Sequence, residues 1–375
     1  MSRNLVVTGA GGLVGTELTA ALLPAFDRVL LLTAGAPDTE RLRRRIGWVL
    51  DAAGADGRGM DAAGADGRAG LLDRVTALPL DGLTPAALRG AGLDAVAQVW
   101  NVGASLSYDQ DKLAETVAAN TAVPLRLLEL CAPDERFFHV STVGVTGPGS
   151  PARRETVPEA PVWRPDAVNP YVLSKLLAEH MLDNLRAHTG APVSMLRLGS
   201  VIGPDGHAAV QDNRAGYYTL VEMLAKVVAR RAVLTLDAEP GNAPPLAHVD
   251  QLAASCAALA DRAARDAEVA AYYHLGDQTL TNAAAADAVN AALGAEVLRL
   301  GPPATALDRA YASVNADNVA FMSCGFRFDH AVLDAHVPAA ARPRVDADSY
   351  ARFVTGQLAR LAARRGARRE AAVAA

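Results

Sequence analysis

Two side chains near the middle of the sequence have the types and spacing for proton transfer. Tyr171 and Lys175 stand four apart in the run Tyr171-Val172-Leu173-Ser174-Lys175, inside a helical pattern that continues through Glu179. On a helix, positions i and i+4 share one face, so the Lys175 ammonium is expected beside the Tyr171 phenol. A free phenol has a pKa near ~10, and a neighbouring cation favours its ionised form. Such a pair would act as a general acid or base, worth about 10²–10⁴-fold in rate. Tyr-x-x-x-Lys alone occurs in many helices. Here it follows an apolar strand-like run, Phe137–Val140, that ends in the hydroxyls of Ser141 and Thr142.

A second constellation lies at the start of the chain. Asn4–Thr8 reads as a short apolar strand, and directly after it Gly9, Gly12 and Gly15 are spaced G-x-x-G-x-x-G. Glycine is needed where the chain turns tightly, where backbone approaches a pyrophosphate, and where a helix packs on a sheet. A helix opening near Gly12 offers free N–H groups and a positive dipole end to a phosphate, with Gly11, Leu13 and Val14 at the contact. The predicted ligand is a nicotinamide dinucleotide. Its ribose is usually held by an acid at the end of the second strand, yet that position reads Leu32-Thr33-Ala34-Gly35. The cluster Arg41–Arg45 follows, and Arg41 and Arg44 are the guanidiniums expected to pair with a 2′-phosphate. The expected cofactor is therefore NADPH, with NADH the alternative.

The elements that must position these residues are legible from periodicity. Leu13–Leu23 has helical spacing and Arg28–Leu32 is a second apolar strand, completing a βαβ unit. Further apolar runs recur at Val75–Leu80, Ala95–Val102, Phe137–Val140, Val193–Leu198 and Tyr272–Leu275, most of them separated by helical segments. This alternation predicts an α/β fold, a Rossmann-type doubly wound parallel sheet with its site beyond the carboxyl ends of the strands. The expected organisation is a dinucleotide domain over 1–200, with 235–280 returning to it. A smaller substrate lobe would take 201–234 and 281–375. The near-duplicate decapeptides at 51–60 and 61–70, rich in Ala, Gly and Asp, are expected to form an exposed insertion. The basic, Ala-rich stretch 359–375 is expected to be a fraying helix.

Composition narrows the partners. With 36 Lys+Arg against 41 Asp+Glu, the formal charge of −5 carries no nucleic-acid footprint and no membrane anchor. The three cysteines are isolated in sequence, which supports neither a disulfide framework nor a metal site, and the eight histidines show no metal-ligand spacing. No apolar run is long enough to span a bilayer, and the first residues lack a cleavable leader pattern. The expectation is a cytoplasmic protein acting on a small molecule. Oligomeric state is not legible.

These motifs together resemble the extended branch of the short-chain dehydrogenase/reductase superfamily, over nearly the whole chain. TGAGGLVG at 8–15 resembles its TGxxGxxG loop, Leu80-Asp81 its adenine-contacting pair, and Asn101-Val102-Gly103-Ala104 a characteristic strand end. Asn120-Thr121 is similar to part of its N-x-x-G-T helix. Asn169-Pro170-Tyr171 with Ser174, Lys175 and Glu179 resembles N-P-Y-x-x-S-K-x-x-x-E. Arg197-Leu198-Gly199 and His248-Val249-Asp250 resemble two later elements. The resemblance implies that Thr142, Tyr171 and Lys175 are catalytic, with Ser141 the alternative hydroxyl. It implies that Asp81, Gly103 and Asn120 help hold the cofactor.

Within that superfamily, the positions after Thr142 are Val143 and Gly144, not the acidic pair of sugar-nucleotide dehydratases. Ser105-Leu106-Ser107-Tyr108 and the Val143–Gly149 loop are small or apolar, which suits an acyl or alkyl substrate. Ser105, Val143, Gly144, Ser200, His207 and Tyr217 are the expected substrate contacts. The strand Val99–Ala104, the Ser141-Thr142 pair, Tyr273–Gly276 and Cys324–Asp329 resemble thioester reductases and fatty acyl-CoA reductases. That likeness implies hydride transfer to a thioester carried on CoA or a carrier protein, or to the derived aldehyde. The alternatives are an alcohol or hydroxysteroid-like dehydrogenase, a ketoreductase, a nucleotide-sugar epimerase, and a dinucleotide-sensing regulator without chemistry.

Overall fold

Seven short apolar runs, most of them buried on both faces, assemble into one parallel sheet. The computed structural model describes residues 2–55, 65–149, 155–163, 165, 169–207, 216–265 and 267–374. Among them the strands are, in chain order, β1 (Asn4–Thr8), β2 (Arg28–Thr33), β3 (Val75–Pro79), β4 (Gln98–Asn101), β5 (Arg136–Thr142), β6 (Thr156–Val157), β7 (Val193–Leu198), β8 (Ser200–Ile202), β9 (Leu234–Leu236), β10 (Leu246–His248), β11 (Tyr272–Leu275), β12 (Leu298–Leu300) and β13 (Arg327–Phe328). The large sheet has the order β11-β7-β5-β4-β1-β2-β3, and every pairing in it is parallel. The chain therefore leaves β1 toward one edge through β2 and β3, then crosses to β4 and runs toward the other. That reversal is the topological switch point, where open α/β sheets bind ligands.

Helices cover both faces because the strands are apolar on both. The first helix, Leu13–Leu22, turns Leu18 and Leu22 into the core beneath β1, and the Val249–Ala264 helix adds Leu252, Cys256 and Leu259 to the same cluster. A separate core joins Tyr217–Arg230 to Leu234, Leu236, Val289 and Leu298, closed by Tyr350, Phe353 and Val354. The last three lie in the C-terminal helix, Ala347–Ala374. That helix begins twelve residues before the expected start at 359, because its first turns carry an apolar face that the lobe buries.

The segment 235–280 and the duplicated stretch are each divided in the structure. Of the segment 235–280, β11 alone joins the large sheet; β9 pairs with β12 in the lobe and β10 with β8. The duplicated stretch is helical at both ends, with 51–55 closing the Thr39–Ala55 helix and 65–70 opening Ala65–Asp73, since alanine is a strong helix former. Its residues 56–64 lie outside those described.

Candidate active site

The glycine loop sits at the switch point, against the end of β4. Gly9 has φ +73, and a Cβ there would stand 2.6 Å from the Gly103 amide nitrogen. A Cβ at Gly15 would overlap the Gly9 carbonyl oxygen. These two glycines let strand, loop and helix close on one another. Gly11 differs: the nearest atom to its missing Cβ is a Leu42 methyl at 3.8 Å, so that side is open. The Leu13–Leu22 helix has Gly12 as N-cap and no side chain capping it, leaving first-turn N–H groups to a ligand. An open glycine face on an uncapped helix end fits a dinucleotide pyrophosphate.

A buried polar chain fixes the relation of β1, β4 and β5. The Gly103 N–H donates to Thr8 Oγ1 at 2.9 Å, the Thr8 hydroxyl donates to Asn101 Oδ1 at 2.9 Å, and Asn101 Nδ2 meets His139 Nδ1 at 2.9 Å. Burial, aided by the nearby Lys175 charge, holds His139 well below the usual histidine range, so it is a neutral acceptor.

The Pro170–Thr189 helix brings Tyr171, Lys175 and Glu179 to the end of β5. Asn169 caps it, accepting from the Val172 N–H at 3.0 Å, Pro170 fills the first position, and Gly190 ends it with φ +73. Three consecutive residues of β5 are tied to three positions spaced by four on this helix. The Thr142 hydroxyl lies close enough to the Tyr171 phenol to favour its ionised form. The Lys175 ammonium donates to the Val140 carbonyl oxygen at 2.7 Å. The Ser141 hydroxyl donates to Glu179 at 2.5 Å. Glu179 in turn holds Arg197 of β7 at 2.7 Å, and both are fully buried.

This arrangement corrects the expected priming of the phenol. Burial is the main cause that lifts Tyr171 above the ordinary tyrosine range, with Tyr108 adding to it and the Thr142 hydroxyl opposing. Lys175 is lowered to about 8, chiefly by burial, with Glu179 opposing. Desolvation outweighs the attraction that the four-residue spacing suggested, and burial favours the neutral phenol of Tyr171. Ser141 is likewise no second active hydroxyl: it is buried under the strand and spent on Glu179.

The remaining expected positions scatter. Asn120 is in a π-helical turn, Ala118–Ala122, and its amide is committed to protein: it accepts from Ser105 N at 2.7 Å and donates to Ser105 O at 2.9 Å and to Ser174 Oγ at 2.8 Å. It therefore holds the loop after β4, placing Ser105 at the crevice. Val143 and Gly144 follow Thr142 directly, and Gly144 N–H donates to Thr142 Oγ1 at 3.1 Å. Asp81 is exposed at the turn beyond β3. Arg41 and Arg44 are exposed on the Thr39–Ala55 helix, whereas Arg43 is spent on Glu40 and the Val75 carbonyl. Leu13 is buried in the lobe-side core and Val14 packs against it.

Two of the expected substrate contacts are elsewhere. His207 lies against Glu17 of the first helix at 3.2 Å. Tyr217 is buried in the lobe core, edge-on to Tyr350 with ring centres 6.0 Å apart. Ser200 is on β8, its N–H donating to the Pro245 carbonyl at 2.8 Å. Apolar packing of the lobe, which residue type alone does not reveal, decides the placement of Tyr217. Conversely, Tyr108 stands 6.1 Å from Tyr171 between ring centres, and Phe321 abuts Gly144. No local motif marks either residue. Among the described residues, no group of His, Cys, Asp or Glu is placed to hold a metal, and no helix is long and apolar enough to cross a membrane.

Comparison with known proteins agrees with this geometry. Residues 5–276 match the NAD dependent epimerase/dehydratase family. An isonitrile lipopeptide synthase of Streptomyces coeruleorubidus is 32% identical over 221 residues, 56% of this chain but 14% of that protein. The chain thus spans a small part of that relative's length. The terminal R domain from the myxalamid PKS-NRPS biosynthetic pathway superposes with a TM-score of 0.69 at 21% identity, covering 96% of this chain and 91% of that one. UDP-glucuronic acid 4-epimerase from Bacillus cereus, in complex with NAD, superposes with a TM-score of 0.62 at 17% identity, covering 95% and 96%. At such identities the superpositions speak for the fold, while the family match covers well over half of the chain. The chain belongs to the NAD-dependent epimerase/dehydratase family, within the extended short-chain dehydrogenase/reductases, and is an NAD(P)-dependent oxidoreductase.

Proposed function

We propose that this protein reduces the carbonyl of an acyl thioester, carried on CoA or a carrier protein, with NADPH. The observation that carries the reading is the placing of Thr142, Tyr171 and Lys175 together at the end of β5, with burial keeping the Tyr171 phenol neutral. A protonated phenol is a donor, which suits reduction. Val143 packs with Val157, Cys324 and Phe328 in a buried apolar cluster behind the end of β5, and the half-buried Phe321 stands over Gly144. An aromatic ring beside Gly144 suits an acyl chain better than a sugar diphosphate. The likeness to a lipopeptide synthase segment and to an R domain supports the same substrate class.

A bound nicotinamide supplies hydride to the carbonyl carbon. The protein's part is positional and acidic. Thr142 and Tyr171 hold the carbonyl oxygen, and Tyr171 delivers the proton as negative charge develops there. For a thioester the product is a hemithioacetal, whose C–S bond breaks to give an aldehyde and a free thiol. Lys175, anchored on Val140, keeps a positive charge at the floor of the site. Gly11 and the uncapped helix end hold the pyrophosphate. Exposed Arg41 and Arg44, with no acid at the end of β2, favour the 2′-phosphate of NADPH.

The test is to incubate the protein with NADPH and acyl-CoA or acyl-pantetheine thioesters, following nicotinamide absorbance, free thiol and trapped aldehyde. Stoichiometric loss of NADPH with aldehyde and thiol release is the expected result. Oxidation of alcohols or epimerisation of UDP-sugars, without thioester turnover, overturns it.

A further inference from the structure

The site has a second phenol that neither the motifs nor the comparisons assign. Tyr108 lies on the loop after β4, whose backbone Asn120 grips at Ser105. Its ring is tilted 34° to that of Tyr171, with centres 6.1 Å apart, yet it remains 42% exposed. It thus covers the active phenol from outside and faces the opening. A second ring comes from the Ala316–Met322 helix of the lobe, which meets the turn that follows β5. Phe321 comes within 3.2 Å of where a Cβ on Gly144 would stand, which explains why that position is glycine. One turn earlier, Asp317 accepts from Asn169 Nδ2 at 2.9 Å, pinning this short helix to the cap of the Tyr171 helix. Burial, with the Asp317 charge adding to it, raises the Tyr108 phenol above the ordinary tyrosine range. Two aromatic rings from separate parts of the chain therefore come to this site, Tyr108 at Tyr171 and Phe321 at Gly144, two residues after Thr142. Phe321 lies beyond the stretch that matches the family.

We propose that Tyr108 is a specificity-determining residue, its ring forming with Phe321 the walls between which the acyl chain next to the reacting carbonyl is held. The inference rests on reading Tyr171 as the active phenol and on an acyl substrate. An acyl chain entering past Tyr108 buries apolar surface on its ring in proportion to length, so longer chains gain more from it. Asp317 is a positioning residue: it holds the Phe321 helix against Asn169 and touches no substrate.

The experiment compares wild type, Tyr108→Ala, Tyr108→Phe and Phe321→Ala on S-acyl pantetheines from acetyl to lauroyl and on the matching aldehydes. NADPH affinity is measured in parallel by fluorescence. For Tyr108→Ala, KM should rise about tenfold more for the lauroyl than for the acetyl compound, the scale of apolar-pocket discrimination. Tyr108→Phe, which keeps the ring, should retain the wild-type dependence on chain length, and Phe321→Ala should flatten it. An unchanged dependence in both alanine variants overturns the proposal. Turnover of aldehydes without thioesters sinks the thioester reading, and the Tyr108 comparison is then read on aldehydes. If neither class turns over, quenching of protein fluorescence by the same pantetheines supplies the comparison, and equal Kd profiles in wild type and Tyr108→Ala overturn it.

Discussion

Lys175 Nζ is bonded to the carbonyl oxygen of Val140 at 2.7 Å, which ties the lysine to the strand that carries Thr142 and not to the phenol one turn away. The strand and the Tyr171 helix are laced at three successive points, so the geometry of the hydroxyl pair depends on groups beneath it.

Tyr171→Phe removes the transferable proton and leaves the ring. Turnover should fall by about 10²–10⁴-fold, with NADPH affinity within about twofold of wild type by fluorescence titration. Near-normal rates would show that another group supplies the proton.

The depressed Lys175 predicts a pH profile. Its pKa is lowered to about 8, so the charged form prevails below that value and is lost above it. If the ammonium is the working form, kcat/KM for the free enzyme holds up to about pH 8 and then declines. Folding responds in the opposite sense. Between about 8 and the unfolded lysine value of 10.5 the unfolded chain binds more protons, so this group makes stability rise with pH. Lys175→Met should abolish both trends, read by initial rates and by urea melts across pH.

Glu179 and Arg197 form a fully buried pair at 2.7 Å, shared with Ser141 and with His274 at 3.2 Å. Arg197→Met should cost about 3–5 kcal/mol in urea unfolding, because a buried carboxylate loses its partner. Pairing it with Glu179→Met should recover part of that loss. A double variant no more stable than Arg197→Met would show that packing, not charge, dominates there.

The glycine loop separates fold from ligand. Gly9→Ala forces a strained backbone at φ +73 against Gly103 and should destabilise by about 1–3 kcal/mol, measured as a lower Tm. Gly11→Ala meets nothing nearer than 3.8 Å, so its Tm should hold while dinucleotide affinity falls. Unchanged affinity would place the pyrophosphate elsewhere.

Replacing Arg41 and Arg44 together by Ala should raise the KM for NADPH about tenfold, on the order of 1.4 kcal/mol, and leave that for NADH in place. An equal change for both cofactors would argue against a 2′-phosphate contact.

Much of the framework was readable before any coordinates. β1, β7 and β11 coincide with their apolar runs, and β2, β3, β4 and β5 depart from theirs by a few residues at an end. The spacing of Gly9, Gly12 and Gly15 announced a turn and helix start, because steric demands on glycine are local. The spacing of Tyr171 and Lys175 correctly placed both on one helix.

What the sequence determined by itself was therefore the parallel sheet, the glycine bend and the helix that carries Tyr171, all of which follow from short-range periodicity and backbone sterics. The tertiary structure alone decided the rest. It sent Lys175 to Val140, consumed Ser141 on Glu179 and His207 on Glu17, buried Tyr217 in the lobe, and brought Tyr108 and Phe321 to the opening. Those outcomes depend on desolvation and on contacts between residues far apart in the chain, and neither is written in the spacing of a motif.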